Sequence, residues 1–329
     1  MEKEKSVERR LKKYNNPLIV QRYCVQFAVK IFRTLFLIGL CYLFLFPIFY
    51  MVVTAFQDPA LVNDPTSIWI PKKLSLDAIK AATEYMQYGR SIIITLEMTV
   101  FSTLATLCSC SLAGYALARF KFAGKGIVMA VVFLLIVIPP QTLLSANYVN
   151  FRYFDFGGLL KLLAPVTGKE NYYLLDSPLT FVLPALFCAG LKSGLFIFIF
   201  KQFFGGLPKE MEEAACIDGC GVFMTYFRVM VPLAVPAFVT VMLFSFIWHW
   251  NDYYTSSMYF TSGVAPLSVM LSKFQTMVNN GQIGENITMF QSRMYLQAAA
   301  LLVCFPPLIL YAFTQKYFTE SISRTGIVG

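Results

Sequence analysis

The sequence predicts an all-α membrane protein with six transmembrane helices. Hydrophobic residues make up 57% of the 329 positions and charged residues 14%, and the mean hydropathy is +0.61, which is too apolar for a soluble domain. The apolar residues are grouped into continuous stretches, and about 20 such residues are needed for a helix to cross a bilayer. A β-barrel is disfavoured, because its strands are short and alternate apolar with polar residues.

Six stretches are long and apolar enough to be spans. They are residues 34–56, 91–118, 126–151, 177–200, 229–251 and 294–315. The first is too long for a signal peptide and no small-residue cleavage site follows it, so we expect it to stay in the protein as span one.

Basic residues predict the orientation of these spans. Nine Lys and Arg residues precede span one, and the positive-inside rule therefore places the amino terminus in the cytoplasm. Three parts are expected: a basic cytoplasmic segment over 1–33, a membrane domain over 34–318 and a cytoplasmic tail over 319–329. The net charge of +9 then describes a cytoplasmic face attracted to anionic membrane lipid, with no need for nucleic acid as a partner.

The residues that enzymes and metal sites need are scarce. The single histidine, His249, has no evident catalytic partner, and no pair of cysteines has the spacing of a zinc or redox site. The eight cysteines are expected to be free thiols, since nearly all fall within spans or on the cytoplasmic side. No phosphate-binding glycine loop is present either, so any ATP that drives this protein binds to another chain.

The most informative segment is 207–236, LPKEMEEAACIDGCGVFMTYFRVMVPLAVP, which is polar and acidic between two apolar spans. Pro208 suits the start of a helix, and the glutamates that follow favour the positive end of the helix dipole. Gly219 can adopt the left-handed conformation that ends a helix. The segment therefore predicts a helix over about 209–216, a glycine turn and a second helix from about 222, with Pro232 at its junction with span five.

The spacing of this segment resembles the EAA loop of the membrane subunits of binding-protein-dependent ABC importers. The residues that carry the resemblance are Glu213, Ala214, Ala215, Gly219 and the sequence 229–232, VMVP. The two valines depart from the usual Ile-x-Leu-Pro ending, and both are conservative.

Further motifs are similar to those of the carbohydrate-uptake branch of that family, the permeases like the MalG subunit of the maltose transporter. They extend in order from about 92 to 318 and comprise SLAGYALARF at 111–120, LPKE at 207–210, IDG at 217–219, PL at 232–233, PA at 236–237, WND at 250–252 and QKYF at 315–318. Two parts depart from the pattern: the long outer segment 157–176, and the ending 326–329, which lacks the lysine of the family's usual tail.

The resemblance implies the type I ABC importer permease fold in the bacterial cytoplasmic membrane. It implies a division of labour in which an extracytoplasmic solute-binding protein delivers sugar, two permease subunits form the pathway, and two ATPase subunits bind ATP and magnesium. This chain would be one permease of a heterodimer and would bind no cofactor itself. The loop helix would dock in a cleft of the ATPase, with coupling assigned to Glu213, Ala214, Ala215, Asp218, Gly219 and Pro232.

Candidates for the substrate pathway come from residue chemistry, because carboxylates and aromatic faces suit sugars. They are Glu97, Trp248, Trp250, Asn251, Asp252 and Tyr253. Glu97 lies inside span two and could contact sugar hydroxyls, pair with Lys192 of span four, or reach the membrane interface. The aromatic group has the alternative of an ordinary interfacial belt.

Two other classes of function stay open at this point. One is an ABC importer permease for a non-sugar solute, against which the IDG and WND sequences count. The other is a secondary carrier, which is expected to show internal repeats or coupling-ion carboxylates, and no clear repeat is visible in the sequence.

Overall fold

The computed structural model describes residues 17–62, 70–158, 171–283 and 287–325. These residues form an all-α fold whose extended pairing is limited to two isolated bridges, Gln57 with Leu74 and Phe154 with Tyr172. The helices are α1 Pro17–Ala55, α2 Asp77–Tyr85, α3 Tyr88–Arg119, α4 Lys125–Val137, α5 Leu144–Arg152, α6 Leu179–Leu186, α7 Ser193–Gly206, α8 Glu210–Ile217, α9 Val222–Leu233, α10 Val235–Trp250, α11 Tyr254–Tyr259, α12 Leu267–Asn279 and α13 Met289–Thr325.

Some of the expected segments lie outside the described residues. These are 1–16 of the basic amino-terminal segment, 159–170 of the long outer segment and 326–329 of the tail.

Three of the six expected spans are continuous helices that are long and apolar enough to cross a membrane: Cys24–Ala55 within α1, α3, and Met289–Gln315 within α13. Two more are bent pairs, since α4 turns by 97° into Pro140–Arg152 and α9 turns by 78° into α10. The described residues therefore hold three to five candidate spans. The sequence placed a junction at Pro232 before span five, where α9 turns into α10, but it missed the bend within span three.

Proline explains the two bends. Pro139 and Pro140 follow α4, and Pro232 and Pro236 flank the turn between α9 and α10. Proline lacks the amide hydrogen that the helix ladder needs and clashes with the preceding turn. Residues 226–230 of α9 form a π-helical segment just before Pro232, which is how the chain accommodates the missing hydrogen bond.

Expected span four is broken in the middle, into α6 and the 14-residue α7. The break contains two residues in the left-handed region, Cys188 (φ 59°) and Lys192 (φ 60°). Neither is glycine, but Gly190 lies between them, and a Cβ atom added there would lie 2.8 Å from Cα of Ala185. Gly190 is therefore a turn signal that the assignment of one continuous span passed over. Span four therefore enters the bundle as two short helices.

Helix α3 lies at the centre of the bundle and packs against α6, α7 and α10. Small residues permit this packing. A Cβ atom added to Gly114 would lie 2.5 Å from Cβ of Phe200 in α7. On α7 itself, a Cβ at Gly194 would lie 2.9 Å from Leu135 of α4. Glycines thus set the spacing of three neighbouring helices.

Candidate coupling site and substrate pathway

Helix α8 is an acidic helix at the end of the bundle where α3 and α7 finish. Glu210, Glu212 and Glu213 occupy its first turn, where their charges meet the positive end of the helix dipole. The carbonyl oxygen of Lys209 accepts the amides of Glu212 at 3.0 Å and Glu213 at 3.1 Å, which closes the first turn. The observed helix lies within one residue of the expected one.

Gly219 ends α8 in the left-handed conformation with φ 80°, as the sequence predicted. The amide of Cys220 donates to the carbonyl oxygen of Ala215 at 2.9 Å, and the amide of Gly219 donates to that of Cys216 at 3.0 Å. This pair of bonds is the Schellman motif, which satisfies the last carbonyls of a helix. After this turn the chain continues into α9, which leads to α10.

The two faces of α8 have different surroundings. Ala215 is buried against the bundle, while Glu213, Ala214 and Asp218 are exposed. Beside them are large exposed apolar side chains, with Ile217 86% and Phe223 73% exposed. A slim, acidic helix edge next to an uncovered apolar surface is suited to a protein partner.

An ion pair that sequence reasoning missed holds α8 to the central helix. Arg119, the last residue of α3, places its Nε 3.4 Å from a carboxylate oxygen of Glu212 and donates from a terminal nitrogen to the carbonyl oxygen of Leu207 at 2.7 Å. The two charged side chains are 7% and 20% exposed, so the pair is partly desolvated. A rigid connection therefore runs from α8 into α3.

Aromatic packing lies next to the Arg119–Glu212 ion pair. The ring of Tyr115 lies 5.5 Å from Phe204 at the end of α7 and 5.2 Å from Tyr226 in α9. The hydroxyl of Tyr226 is 2.6 Å from that of Ser111 in α3. The ends of α3, α7 and α9 are thus packed together beside α8.

Glu97 lies in an open groove between α3 and α6. The groove has a volume of about 640 Å³ and is mostly apolar, with Phe101 and Leu104 of α3 facing Val182 and Leu186 of α6. Lys192, the expected alternative partner of Glu97, lies elsewhere, with its Nζ 6.0 Å from the ring centroid of Trp248. The ion pair considered from the sequence is therefore not formed.

The two tryptophans of α10 have different environments. Trp248 is half-buried between Phe196 and Phe244 and meets the ammonium of Lys192. Trp250 is 0% exposed, and its indole nitrogen donates to the carbonyl oxygen of Val303 in α13 at 3.1 Å. Within this chain Trp250 is a packing residue, so it belongs neither to an exposed interfacial belt nor to an accessible pathway surface.

Asp252 fixes the start of α11. Its carboxylate accepts the amide of Ser256 at 2.7 Å and the hydroxyls of Ser256 and Thr255 at 3.0 Å each. Its backbone oxygen accepts the hydroxyl of Ser268 at 2.7 Å. Asn251 and Tyr253 beside it are exposed, so these two keep the accessibility that substrate contact requires.

A second carboxylate, Asp176, organises the loops at the end of the bundle opposite α8. It accepts the amides of Thr261 and Ser262 at 2.7 and 2.9 Å, and the hydroxyls of Ser262 and Tyr173 at 2.7 and 3.0 Å. Partial burial raises the pKa of Asp176, but these four donors outweigh burial and lower the pKa below its usual value of 3.8. The carboxylate is therefore ionised at neutral pH and holds two loops together.

Comparisons with known proteins identify relatives of this chain. The arabinooligosaccharides transport system permease protein AraQ of Bacillus subtilis (strain 168) is 27% identical over 94% of this chain and 99% of its own length. The diacetylchitobiose uptake system permease protein DasC of Streptomyces coelicolor (strain ATCC BAA-471 / A3(2) / M145) is 26% identical over 86% of this chain and 92% of its own.

A solved structure has the same fold. It is the crystal structure of a bacterial ABC transporter involved in the import of the acidic polysaccharide alginate, one chain of which matches with a TM-score of 0.68 at 20% identity. The match covers 88% of this chain and 96% of that one. The expected permease fold is thereby confirmed.

The family model named binding-protein-dependent transport system inner membrane component matches residues 110–324, which is most of the chain. The match includes α8, its glycine turn, both helices of the 78° bend and α13. It confirms the family resemblance and excludes a secondary carrier. The chain therefore belongs to the family of inner membrane components of binding-protein-dependent transport systems.

Proposed function

We propose that this chain is a permease subunit of an ATP-driven importer of sugars, with oligosaccharides as the substrate class. The relatives named above support the substrate class, because both are transport permeases for oligosaccharides. The absence of an ATP-binding loop from the full sequence supports a separate energy source. A non-sugar substrate gains no support from these relatives.

The observation that carries the proposal is the geometry of α8. This helix exposes Glu213 and Ala214 at its edge and leaves Ile217 and Phe223 uncovered beside them. Two ATPase subunits, one for this chain and one for a second permease, bind ATP and magnesium. One of them receives α8 in a cleft, where a cation pairs with Glu213.

Movement of the ATPase reaches the membrane through two connections. Arg119 ties α8 to α3, and α9 leads through the Pro232 bend into α10. Because both connections are made of packed helices, closure of the ATPase pair moves α3 and α10 together as a rigid body. Asp218 and Gly219 set the angle between α8 and α9.

The orientation follows from the basic residues near the amino terminus. Residues 1–33, α8 and the carboxyl terminus face the cytoplasm of a bacterium, and the Asp176 loops face the extracytoplasmic solute-binding protein. The pathway lies between this chain and the second permease, with Glu97, Trp248, Asn251 and Tyr253 as its accessible candidates. Trp250 and Asp252 anchor the part of the chain that carries Asn251 and Tyr253.

Co-purification with the ATPase tests the docking surface. The charge reversal Glu213→Lys and the bulky Gly219→Trp are expected to lower the recovered ATPase at least about tenfold, since both act on α8. Glu84→Lys is the matched control, because Glu84 is an exposed glutamate on α2, and it should leave recovery unchanged. Native ATPase recovery in both α8 variants would overturn the docking assignment.

A further inference from the structure

The break between α6 and α7 places a cation deep in the membrane domain. Lys192 precedes the 14 residues of α7, which puts it about 21 Å from the end of that helix. The thiol of Cys110 in α3 lies 3.8 Å from the carbonyl oxygen of Ser193, which places the break nine residues, or about 13 Å, inside the end of α3 at Arg119. Lys192 therefore lies inside the roughly 30 Å hydrocarbon layer, where lysine is rare and marks functional sites.

The side chain of Lys192 is not packed into the interior of this chain. Lys192 is exposed in this chain and keeps a left-handed backbone that lysine rarely adopts. Strain of this kind persists where the surrounding structure fixes it, and it is concentrated at functional sites. An exposed ammonium at this depth requires water or protein beside it, so this side of the break cannot face lipid.

A cavity of about 130 Å³ adjoins Lys192 at the junction of the α4 bend and the α6–α7 break. Its polar lining includes Asn147, Thr180, Lys192 and Ser193. Ser193 is 2% exposed, and its hydroxyl makes no hydrogen bond of ordinary geometry among the described residues, with only the thiol of Cys110 beside it. A buried hydroxyl without such a hydrogen bond at a cavity wall indicates a group that arrives from outside the chain.

The charges and donors at this site all favour an anion. The amino-terminal end of α7 contributes the positive end of its dipole, and the Lys192 ammonium and the Ser193 hydroxyl supply donors. Glu97 does not neutralise the site, since it lies 13 residues, or about 20 Å, nearer the start of α3 than Cys110. Trp248 holds the ammonium by its ring face and offers the aromatic surface that sugars favour.

We propose that the α6–α7 break is a contact site for a carboxylate of the transported sugar, with Lys192 as its cation and Ser193 as a further donor. The site makes this chain selective for acidic oligosaccharides that contain uronic acid residues. This inference rests on the proposed function, because it names the substrate class of the same pathway.

Equilibrium binding to the purified permease–ATPase complex in lipid nanodiscs tests the inference. The probes are trigalacturonate and galactotriose, which differ in that carboxylates replace hydroxymethyl groups. The native complex is expected to bind trigalacturonate about tenfold more tightly or better, and Lys192→Met should bring the two affinities to within about twofold. Lys192→Arg should retain the preference, and so should the matched control Lys201→Met, which removes a charge from the same helix nearer its end.

Ser193→Ala is a second variant, for use if the Lys192→Met complex does not assemble. It removes one hydrogen-bond donor and no charge. It should weaken trigalacturonate binding more than galactotriose binding. Equal binding of the two probes by the native complex, a preference that survives Lys192→Met, or an undiminished preference in Ser193→Ala would overturn the inference. Failure of the complete importer to take up any oligosaccharide would instead overturn the proposed function.

Discussion

At the scale of single residues, the sequence predicted local features and missed distant ones. Gly219 and the glutamates of α8 were predictable, because helix caps and dipoles act within a few neighbouring residues. The Arg119–Glu212 ion pair could not be predicted, because its members are 93 positions apart and the sequence around one residue does not indicate the other as its partner. The burial of Trp250 was missed for the same reason, because its partner Val303 belongs to α13.

Substitution of Arg119 tests the connection between α8 and the central helix. Arg119→Ala leaves the Glu212 carboxylate partly buried without its cation, which costs about 1–3 kcal/mol. We expect the ATP-driven uptake rate to fall about tenfold while the ATPase continues to bind, because the docking face of α8 is untouched. Uptake into proteoliposomes and ATPase co-purification measure the two effects.

Lys121→Ala is the control for Arg119→Ala, since it removes an exposed positive charge two residues later. It should leave uptake at the native rate. If Arg119→Ala behaved like this control, the ion pair would have no part in coupling.

At the scale of helices, the apolar stretches located the spans but not their shape. Hydropathy indicates whether a stretch can enter the membrane, but it carries no information about bends within that stretch. Both bends had a proline signal in the sequence. Pro232 was assigned to a junction, whereas Pro139 and Pro140 were treated as part of one continuous span. The α6–α7 break had a weaker signal in Pro184 and Gly190, whereas nothing in the sequence marks the left-handed conformations of Cys188 and Lys192.

Close packing of α3 against α7 is testable at Gly114. The substitution Gly114→Ala introduces a Cβ atom 2.5 Å from that of Phe200, so the helices must separate, at a cost of about 1–3 kcal/mol. We expect a lower midpoint of thermal unfolding for the purified protein in detergent. Gly205→Ala in α7 is the matched control, because nothing lies within 4 Å of its added Cβ.

A native midpoint in Gly114→Ala would contradict the described packing of α3 on α7. A lowered midpoint in Gly205→Ala alone would do the same, since that position has free space.

At the scale of the whole molecule, one central helix joins an acidic surface helix to the deep part of the membrane domain. Helix α3 contacts α8 through Arg119 and reaches the α6–α7 break through Cys110. The fold class and the family were predictable from composition and from the loop at 207–236. The position of the candidate sugar contact at Lys192 depends on the broken span, so it required the three-dimensional structure.

The central claim is that a separate ATPase drives sugar through this permease by way of α8. The direct measurement is uptake of a labelled oligosaccharide into proteoliposomes that hold this chain, its partner permease and the ATPases, with the binding protein outside. We expect uptake only when ATP is supplied on the side that carries α8, and about tenfold or greater loss in Glu213→Lys. Equal uptake without ATP, or native uptake in Glu213→Lys, would contradict the account.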